Sequence, residues 1–591
     1  PRNRRILQRG ARRLLEAIRK GAPEDQVLMP LMVLIAQQRT LTITSSPYGM
    51  PLKGIGELYD RCQQTFCQYV DFLQTTVMDP VEYAALLPSI EAMHQEYRMD
   101  PEVIFALWRP ALQLVIRPAL EVADKPDEEM EEGEAPAAKE APAAEHGGAG
   151  GAEPPALPSG VTRERVQEAV RPMLPPRAWA FFTPGLYATF WTYALYDIYY
   201  PEERYKSEEN RLRGMLRQKE AALQERNRDG LYHQREREGS PTDDYLVLKR
   251  EKKAIEETLE RLGQEAAQQA KRVAEVHAHL RSEKDSWFLK PGGRKNDSVS
   301  AMMFIQHCIV PRVMFSPADA MYCCKFVAFL QEIDTPFFSS LVYYDRVIGL
   351  LVHRVTCITD REASNFGVFL RETIQLTERW RTSAEVFREE CEKRSGFSVT
   401  ISDTSSRKAS YAEFRKVTAR WQSKLTNIFS SSLRSEDYTK IRAALIVLVS
   451  LVKIPFPAVR RFGKMLLLAA RSVVEREERE DLKTLANSYC LQLEQQIKNK
   501  MREDDEYGGF DRKAPAAAQP GALPAEPPKA AAEEKSAAAE AAPQAPADGA
   551  EKAHEGEAAV RTEPEEGERN GPAAPEPEQQ AAAGKRRREP D

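Results

Sequence analysis

Residues able to react or to hold a ligand are few and scattered in this sequence. The eight histidines are His94, His146, His233, His277, His279, His307, His353 and His554. His277 and His279 stand two apart, a spacing that points them to different sides of a helix and gives no shared metal. His307 and His353 sit among apolar neighbours and read as core or partly buried residues. The eight cysteines (62, 67, 308, 323, 324, 357, 391 and 490) show none of the paired short spacings of a zinc site. Most fall on apolar stripes, where a thiol packs as a small hydrophobe, as expected in a reducing compartment. Asp319, Asp345 and Glu362 occupy positions suited to helix caps or ion pairs. Gly292-Gly293 before Arg294-Lys295 lacks the spacing of a phosphate-cradling loop. The sequence therefore offers no catalytic residue, no cofactor site and no metal site, and the chain reads as a non-enzyme.

Two basic groups remain. Arg460, Arg461, Lys464 and Arg471 lie on one predicted helix beside Met465, Leu466 and Leu468, and Lys585, Arg586, Arg587 and Arg588 end the chain. Either could hold a nucleic-acid backbone, a contact that is independent of base sequence and weakened by salt. The terminal cluster also suits a nuclear import signal. The plain alternatives are a solvated helix face and a solubilising terminus.

Charge is segregated along the 591 residues, although the net charge is only −5. Residues 281–500 hold 35 Lys/Arg against 25 Asp/Glu, residues 501–591 hold 12 against 21, and residues 121–160 hold 2 against 11. A basic body thus carries two acidic segments, which could compete with nucleic acid for the same surface. No apolar run reaches membrane-spanning length and no signal peptide is evident, so no membrane is expected. The chain begins at Pro1 with a segment already helical in pattern, as a fragment of a longer protein would.

The elements that position the basic groups are all predicted helices. Residues 1–121 read as a helical-repeat segment, with Asp79-Pro80 and Asp100-Pro101 placed as a cap and a first helical residue. No exact repeat is present, so a solenoid rests on helix spacing alone. Residues 122–160, an Ala/Pro/Glu insertion almost free of large apolar side chains, are expected to be disordered. Residues 161–203 concentrate aromatics from Trp179 to Tyr200 with few interleaved bases, which favours a core or a protein contact over nucleotide stacking. Residues 204–284 carry a heptad-like seam through Ile255, Leu259, Leu262, Ala266, Gln269, Val273, Val276 and Leu280. Tyr205, Leu212, Leu216 and Leu223 give a matching stripe. An antiparallel hairpin pairs the two within the chain; an intermolecular coiled coil is the alternative.

Residues 285–503 form a predicted helical domain. Helices are expected over 299–309, ended by Pro311; from Ser316-Pro317 to Pro336; and from Ser339 through Leu351. A Thr359/Glu362 capping box opens another. Residues 398–409, rich in Ser and Thr, read as a loop. Helices bearing Phe414, Val417, Trp421 and Leu425, then Tyr438 to Val452, then Arg460 to Arg471, then 482–497 complete the domain. From residue 504 onward the chain is read as a disordered tail.

The ordered strings of this domain are specific. They comprise Trp287-Phe288-Leu289, Lys295-Asn296, Cys308-Ile309 with Pro311-Arg312, Phe315-Ser316 with Asp319-Ala320, Tyr322-Cys323, Thr335-Pro336, Tyr344–Val347 and Glu362–Ser364. With the blocks 31–60, 187–191 and Tyr196-Asp197, the sequence resembles the THO complex subunit 2 family over most of 25–110 and 165–500. The resemblance implies a nuclear α-solenoid-like scaffold of the THO/TREX assembly, which couples transcription to mRNA processing and export. It also implies THO complex subunit 1, the other THO subunits and a DEAD-box RNA helicase as partners. In that family the C-terminal region is associated with nucleic acid, mRNA and DNA; here the tail is acidic, which moves any such contact to the basic helices or to residues 585–588. The rival reading is a direct nucleic-acid-binding protein whose basic domain is its main activity.

Overall fold

The Ser and Thr hydroxyls placed before several helices of this chain cap them as their spacing predicts. Ser316 Oγ accepts from Asp319 N at 3.1 Å with Pro317 at the first helical position. Ser339 caps at Val342, and Thr359/Glu362 and Ser410/Glu413 close reciprocal capping boxes. The computed structural model describes residues 2–18, 20, 27–45, 49–74, 80–123, 162–233, 243–289, 297–400 and 407–510. Residues 1–513 form one compact unit and 514–591 a second, which lies outside the described residues, as do the terminal cluster and nearly all of the 122–160 insertion.

The architecture is all-α. The helices are α1 (Arg2–Ile18), α2 (Leu28–Thr44), α3 (Leu52–Phe72), α4 (Pro80–Leu86), α5 (Ile90–Gln95), α6 (Pro101–Ala123), α7 (Arg163–Ala169), α8 (Pro184–Thr192) and α9 (Leu195–Ile198). Two long helices follow, α10 (Glu202–His233) and α11 (Asp243–Glu283). Next come α12 (Asp297–Phe304), α13 (Val310–Phe315), α14 (Pro317–Glu332), α15 (Ser340–Gly349), α16 (Asp360–Thr382) and α17 (Ala384–Phe387). The last are α18 (Tyr411–Leu433), α19 (Tyr438–Leu451), α20 (Arg460–Arg476), α21 (Glu480–Asn499) and α22 (Asp504–Tyr507). Neighbours in sequence pack as pairs, α2 on α3 and α20 on α21, while α16 packs on both α14 and α19. One apolar cluster runs through the body from Ile18 to Met501. No helix among the described residues is long and apolar enough to cross a membrane.

α10 and α11 lie antiparallel against each other within the chain. Lys219 pairs with Glu251 at 2.7 Å, Lys252 with Glu220 at 3.0 Å, and the Tyr205 hydroxyl donates to Glu265 at 3.0 Å. Every seam position from Ile255 to Leu280 is buried or half-buried. The base of the hairpin is tied to the body. Arg272 meets Asp197 at 2.8 Å, His277 stacks on Phe329, and the buried Glu283 accepts from Thr189 at 3.0 Å. Burial alone would raise the Glu283 carboxyl, but His279 and Arg163 hold it below the usual range. His277 and His279 thus serve different contacts.

Four expectations need correction. Pro311 does not end its helix: α12 widens into a π-turn, Ile305–Ile309, and continues as α13 with Pro311 near its start, where a missing N–H costs little. The third central helix stops at Gly349 and a 3₁₀ stretch, Leu351–Cys357, replaces its expected last turn; His353 in that stretch is exposed. Residues 398–409 begin and end in a two-stranded antiparallel ribbon, β1 (Ser398–Thr400) and β2 (Arg407–Lys408), instead of being all loop. The tail does not start at 504. α22 follows, and its Tyr507 is fully buried beneath the Arg381 guanidinium, 3.3 Å from the ring centroid.

Candidate nucleic-acid interface and the core beneath it

α20 is positioned by what it buries. Phe462, Leu466, Ala469, Ala470 and Val473 face inward, toward an α21 whose Leu482, Ala486, Tyr489 and Leu493 are equally buried. Gly463 lets the two helices approach closely, since a Cβ there would run into Met501 Sδ and lie 3.0 Å from Ile497 Cγ1. The opposite face carries the predicted bases. Arg460 meets Glu503 at 2.6 Å, Arg461 meets Asp504 at 2.8 Å, and Arg471 meets Glu494 at 2.6 Å. The hydrogen bond and charge of Glu494 raise the Arg471 guanidinium above its ordinary range. Lys464 is exposed and makes no ion pair among the described residues. The face is therefore largely zipped to the carboxylates of α21 and of the segment that follows it. Lys585–Arg588 lie outside the described residues.

A second basic stripe escaped the sequence reading. On α18, Lys416, Arg420 and Lys424 are exposed at successive one-turn steps, opposite the recognised apolar face of Phe414, Trp421 and Leu425. The signal was present as a period of four among the bases. Apolar periodicity marks the buried side of a helix and leaves its outer side unread.

Beneath these surfaces, the strings that carry the resemblance meet in space. Arg312 is completely buried. Its Nε donates to Asp319 Oδ1 at 2.9 Å, Nη2 donates to the Tyr193 carbonyl at 2.6 Å, and Nη1 donates to the Phe190 carbonyl. The guanidinium lies 3.5 Å from the Tyr322 ring centroid. Arg109 reaches the same Asp319 oxygen at 3.0 Å, and Ser316 Oγ donates to Asp319 Oδ2 at 2.7 Å. Burial would raise the Asp319 carboxyl, yet the two arginines and Ser316 bring it down to about 2. Phe190 packs edge-on against Trp191, Phe304, Tyr322 and Phe326. Most of the aromatic run is thus core, with Tyr196 half-exposed at its edge.

A second junction joins strings far apart in the chain. Asp60 accepts from Thr359 Oγ1 at 2.6 Å and from Arg361 N at 3.0 Å, fastening α3 to the capping box of α16. Asp100, expected as a cap, instead gives its carboxylate to the buried Arg39, which Glu102 also meets at 2.8 Å. These are clamps made of charge that join distant parts of the chain.

The chain is 31% identical to THO complex subunit 2 of Arabidopsis thaliana over 528 residues, 87% of this chain and 27% of the plant protein. It is 28% identical to THO complex subunit 2 of Homo sapiens over 87% of this chain and 30% of that protein. It is 23% identical to the Saccharomyces cerevisiae THO complex subunit 2 over 54% of this chain and 16% of that protein. The chain therefore spans about a third or less of the length of these relatives. Residues 179–493 match the family described as Transcription factor/nuclear export subunit protein 2. That match takes in the hairpin, the buried Arg312 clamp and the helices through α21, and the chain belongs to this Tho2 family.

Proposed function

We propose that this chain is the rigid helical part of a THO complex subunit 2 that works in the nucleus as a scaffold. It holds THO complex subunit 1 and other THO subunits, positions a DEAD-box RNA helicase of the export pathway, and so links transcription to mRNA processing and export. It carries out no reaction of its own. The observation that carries this reading is the family match over residues 179–493. A continuous apolar core from Ile18 to Met501 gives the matched region the stiffness that a scaffold needs. Contact with mRNA or DNA is secondary in this reading. The zipped α20 face supports that order, because phosphate would have to displace carboxylates already seated on Arg460, Arg461 and Arg471.

The test is capture from nuclear extract by the full chain, with and without nuclease, read by mass spectrometry. Recovery of THO subunits and the helicase despite nuclease is expected. Recovery that collapses when nucleic acid is digested overturns the scaffold reading and makes the basic domain the main activity.

A further inference from the structure

An arginine, a second basic residue, any residue and then a hydroxyl stand in that order twice in the sequence. The two strings are Arg407-Lys408-Ala409-Ser410 and Arg415-Lys416-Val417-Thr418. Two cations placed three and two residues before a hydroxyl form the charge pattern that basophilic protein kinases read with carboxylates of their own. The sequence alone does not separate the two copies, and the fold does. Thr418 lies inside α18, is buried, and donates its hydroxyl to the Arg415 carbonyl at 3.0 Å. A kinase cleft reaches it only by unwinding the start of the helix. Ser410 stands just before α18, exposed, on extended backbone with φ of −71° and ψ of 158°. Arg407 and Lys408 form β2 and are exposed as well. The first copy is thus already laid out as a kinase cleft takes its substrate, extended and with both cations outward.

Little holds this first copy down. Of its four residues only Ala409 is buried, and its N–H donates to the Phe397 carbonyl at 2.9 Å. Lys408 Nζ donates to the Lys393 carbonyl at 2.9 Å. Arg407 meets Glu413 at 2.8 Å, with side chains 65% and 37% exposed, and a surface pair of this kind contributes only about 0–1 kcal/mol. The Ser410 hydroxyl accepts from Glu413 N at 3.3 Å and donates to Glu413 Oε2 at 3.0 Å. These contacts open at the surface and leave the face of Phe414, Trp421 and Leu425 in place.

We propose that Ser410 is a phosphorylation site for a basophilic serine/threonine kinase. Ser410 Oγ attacks the γ-phosphorus of ATP, the bond from that phosphorus to the β,γ-bridging oxygen breaks, ADP leaves, and the hydroxyl proton passes to the catalytic carboxylate of the kinase. The product adds about −1.5 to −2 charge at pH 7. The new phosphate sits at the first turn of α18, whose free N–H groups favour an anion. Arg407 lies beside it, and a guanidinium is a bidentate partner for phosphate. Glu413 is displaced: the Ser410 N–H and Arg407 hold its carboxyl below the usual range, so it stays charged and repels the phosphate. The capping box gives way to a phosphate cap, and Arg407 changes partner. The site does not depend on the scaffold reading and stands or falls apart from it.

The test is incubation of the full chain with the purified catalytic subunit of cAMP-dependent protein kinase and ATP, with sites mapped by mass spectrometry and a synthetic peptide of residues 404–414 as the unfolded reference. Phosphate is expected on Ser410 and not on Thr418. Arg407→Gln is expected to lower kcat/KM for Ser410 at least tenfold. Ser410→Asn keeps a side chain that caps a helix, so it is expected to unfold at the parent's urea midpoint and to take no phosphate in this segment. Ser410→Ala gives the same loss of label without the cap. A peptide that is phosphorylated beside a full chain that is not overturns the proposal, because the fold would then shield Ser410. Phosphate on Thr418, or an Arg407→Gln chain modified as fast as the parent, overturns it as well.

Discussion

Arg312 and Arg461 make the same two contacts in two very different places. Each stacks on an aromatic ring, Tyr322 at 3.5 Å or Phe510 at 4.3 Å, and each meets a carboxylate, Asp319 at 2.9 Å or Asp504 at 2.8 Å. The Arg312 side chain is 0% exposed and that of Arg461 is 50% exposed. In the interior, a lost partner leaves a charge and several carbonyls unsatisfied in a low dielectric. At the surface, water replaces whatever is removed. The same chemistry therefore specifies the fold in one region and stays available to a ligand in the other.

The sharpest way to break this contrast is at its buried end. Arg312→Ala strips the Phe190 and Tyr193 carbonyls of their donor and leaves Asp319 with only Arg109 and the Ser316 hydroxyl. A loss of roughly 3–5 kcal/mol is expected, read as a large fall in the urea midpoint. A variant as stable as the parent would mean that the clamp is ornamental. Next in size is the acid response of Asp319, whose carboxyl is held down to about 2. A depressed carboxyl stabilises the fold above its unfolded value, near 3.9, and that contribution fades as pH falls toward 2. The difference corresponds to about 2–3 kcal/mol. Asp319→Asn should abolish this part of the acid transition between about pH 4 and pH 2 while leaving the remainder, as followed by circular dichroism.

These buried groups also show what could be read from the sequence and why the rest could not. Ser316, Ser339 and the Thr359/Glu362 box were legible because a cap acts within three residues of itself. The seam from Ile255 to Leu280 was legible because it repeats. Asp319 was legible as a cap residue, and it is also one centre of a clamp reaching Arg109 in α6, which no local pattern encodes. Asp60 and Thr359, and Arg381 and Tyr507, were equally out of reach, since their contacts close long stretches of chain. The π-turn before Pro311 defeated a local rule because the helix absorbs proline by widening. Of the candidate interface, α20 was found through its bases, yet the carboxylates that cover them come from another helix and from the segment after it. The α18 stripe was missed because only its apolar side was read.

Along α20, packing should outrank charge. Gly463→Leu would force a side chain between α20 and α21 against Met501 and Ile497. A loss of about 1–3 kcal/mol is expected from overpacking, more than from removing any single ion pair on the same helix. A leucine accepted at no cost would show that α21 can move away, and that the zipped face is looser than the packing implies.

The smallest effect belongs to the ion pairs themselves. Arg460 and Glu503 lie 2.6 Å apart, with side chains 35% and 59% exposed. Their Coulomb attraction is screened by water, and ordering two long side chains opposes it. A double-mutant cycle with Arg460→Ala and Glu503→Ala should therefore give a coupling of about 0.2–1 kcal/mol that shrinks as salt is added. The size matters for function as well as for stability. A pair this weak can open for a phosphate, whereas a coupling of several kcal/mol would lock the guanidinium to its carboxylate and take that end of α20 out of any nucleic-acid path.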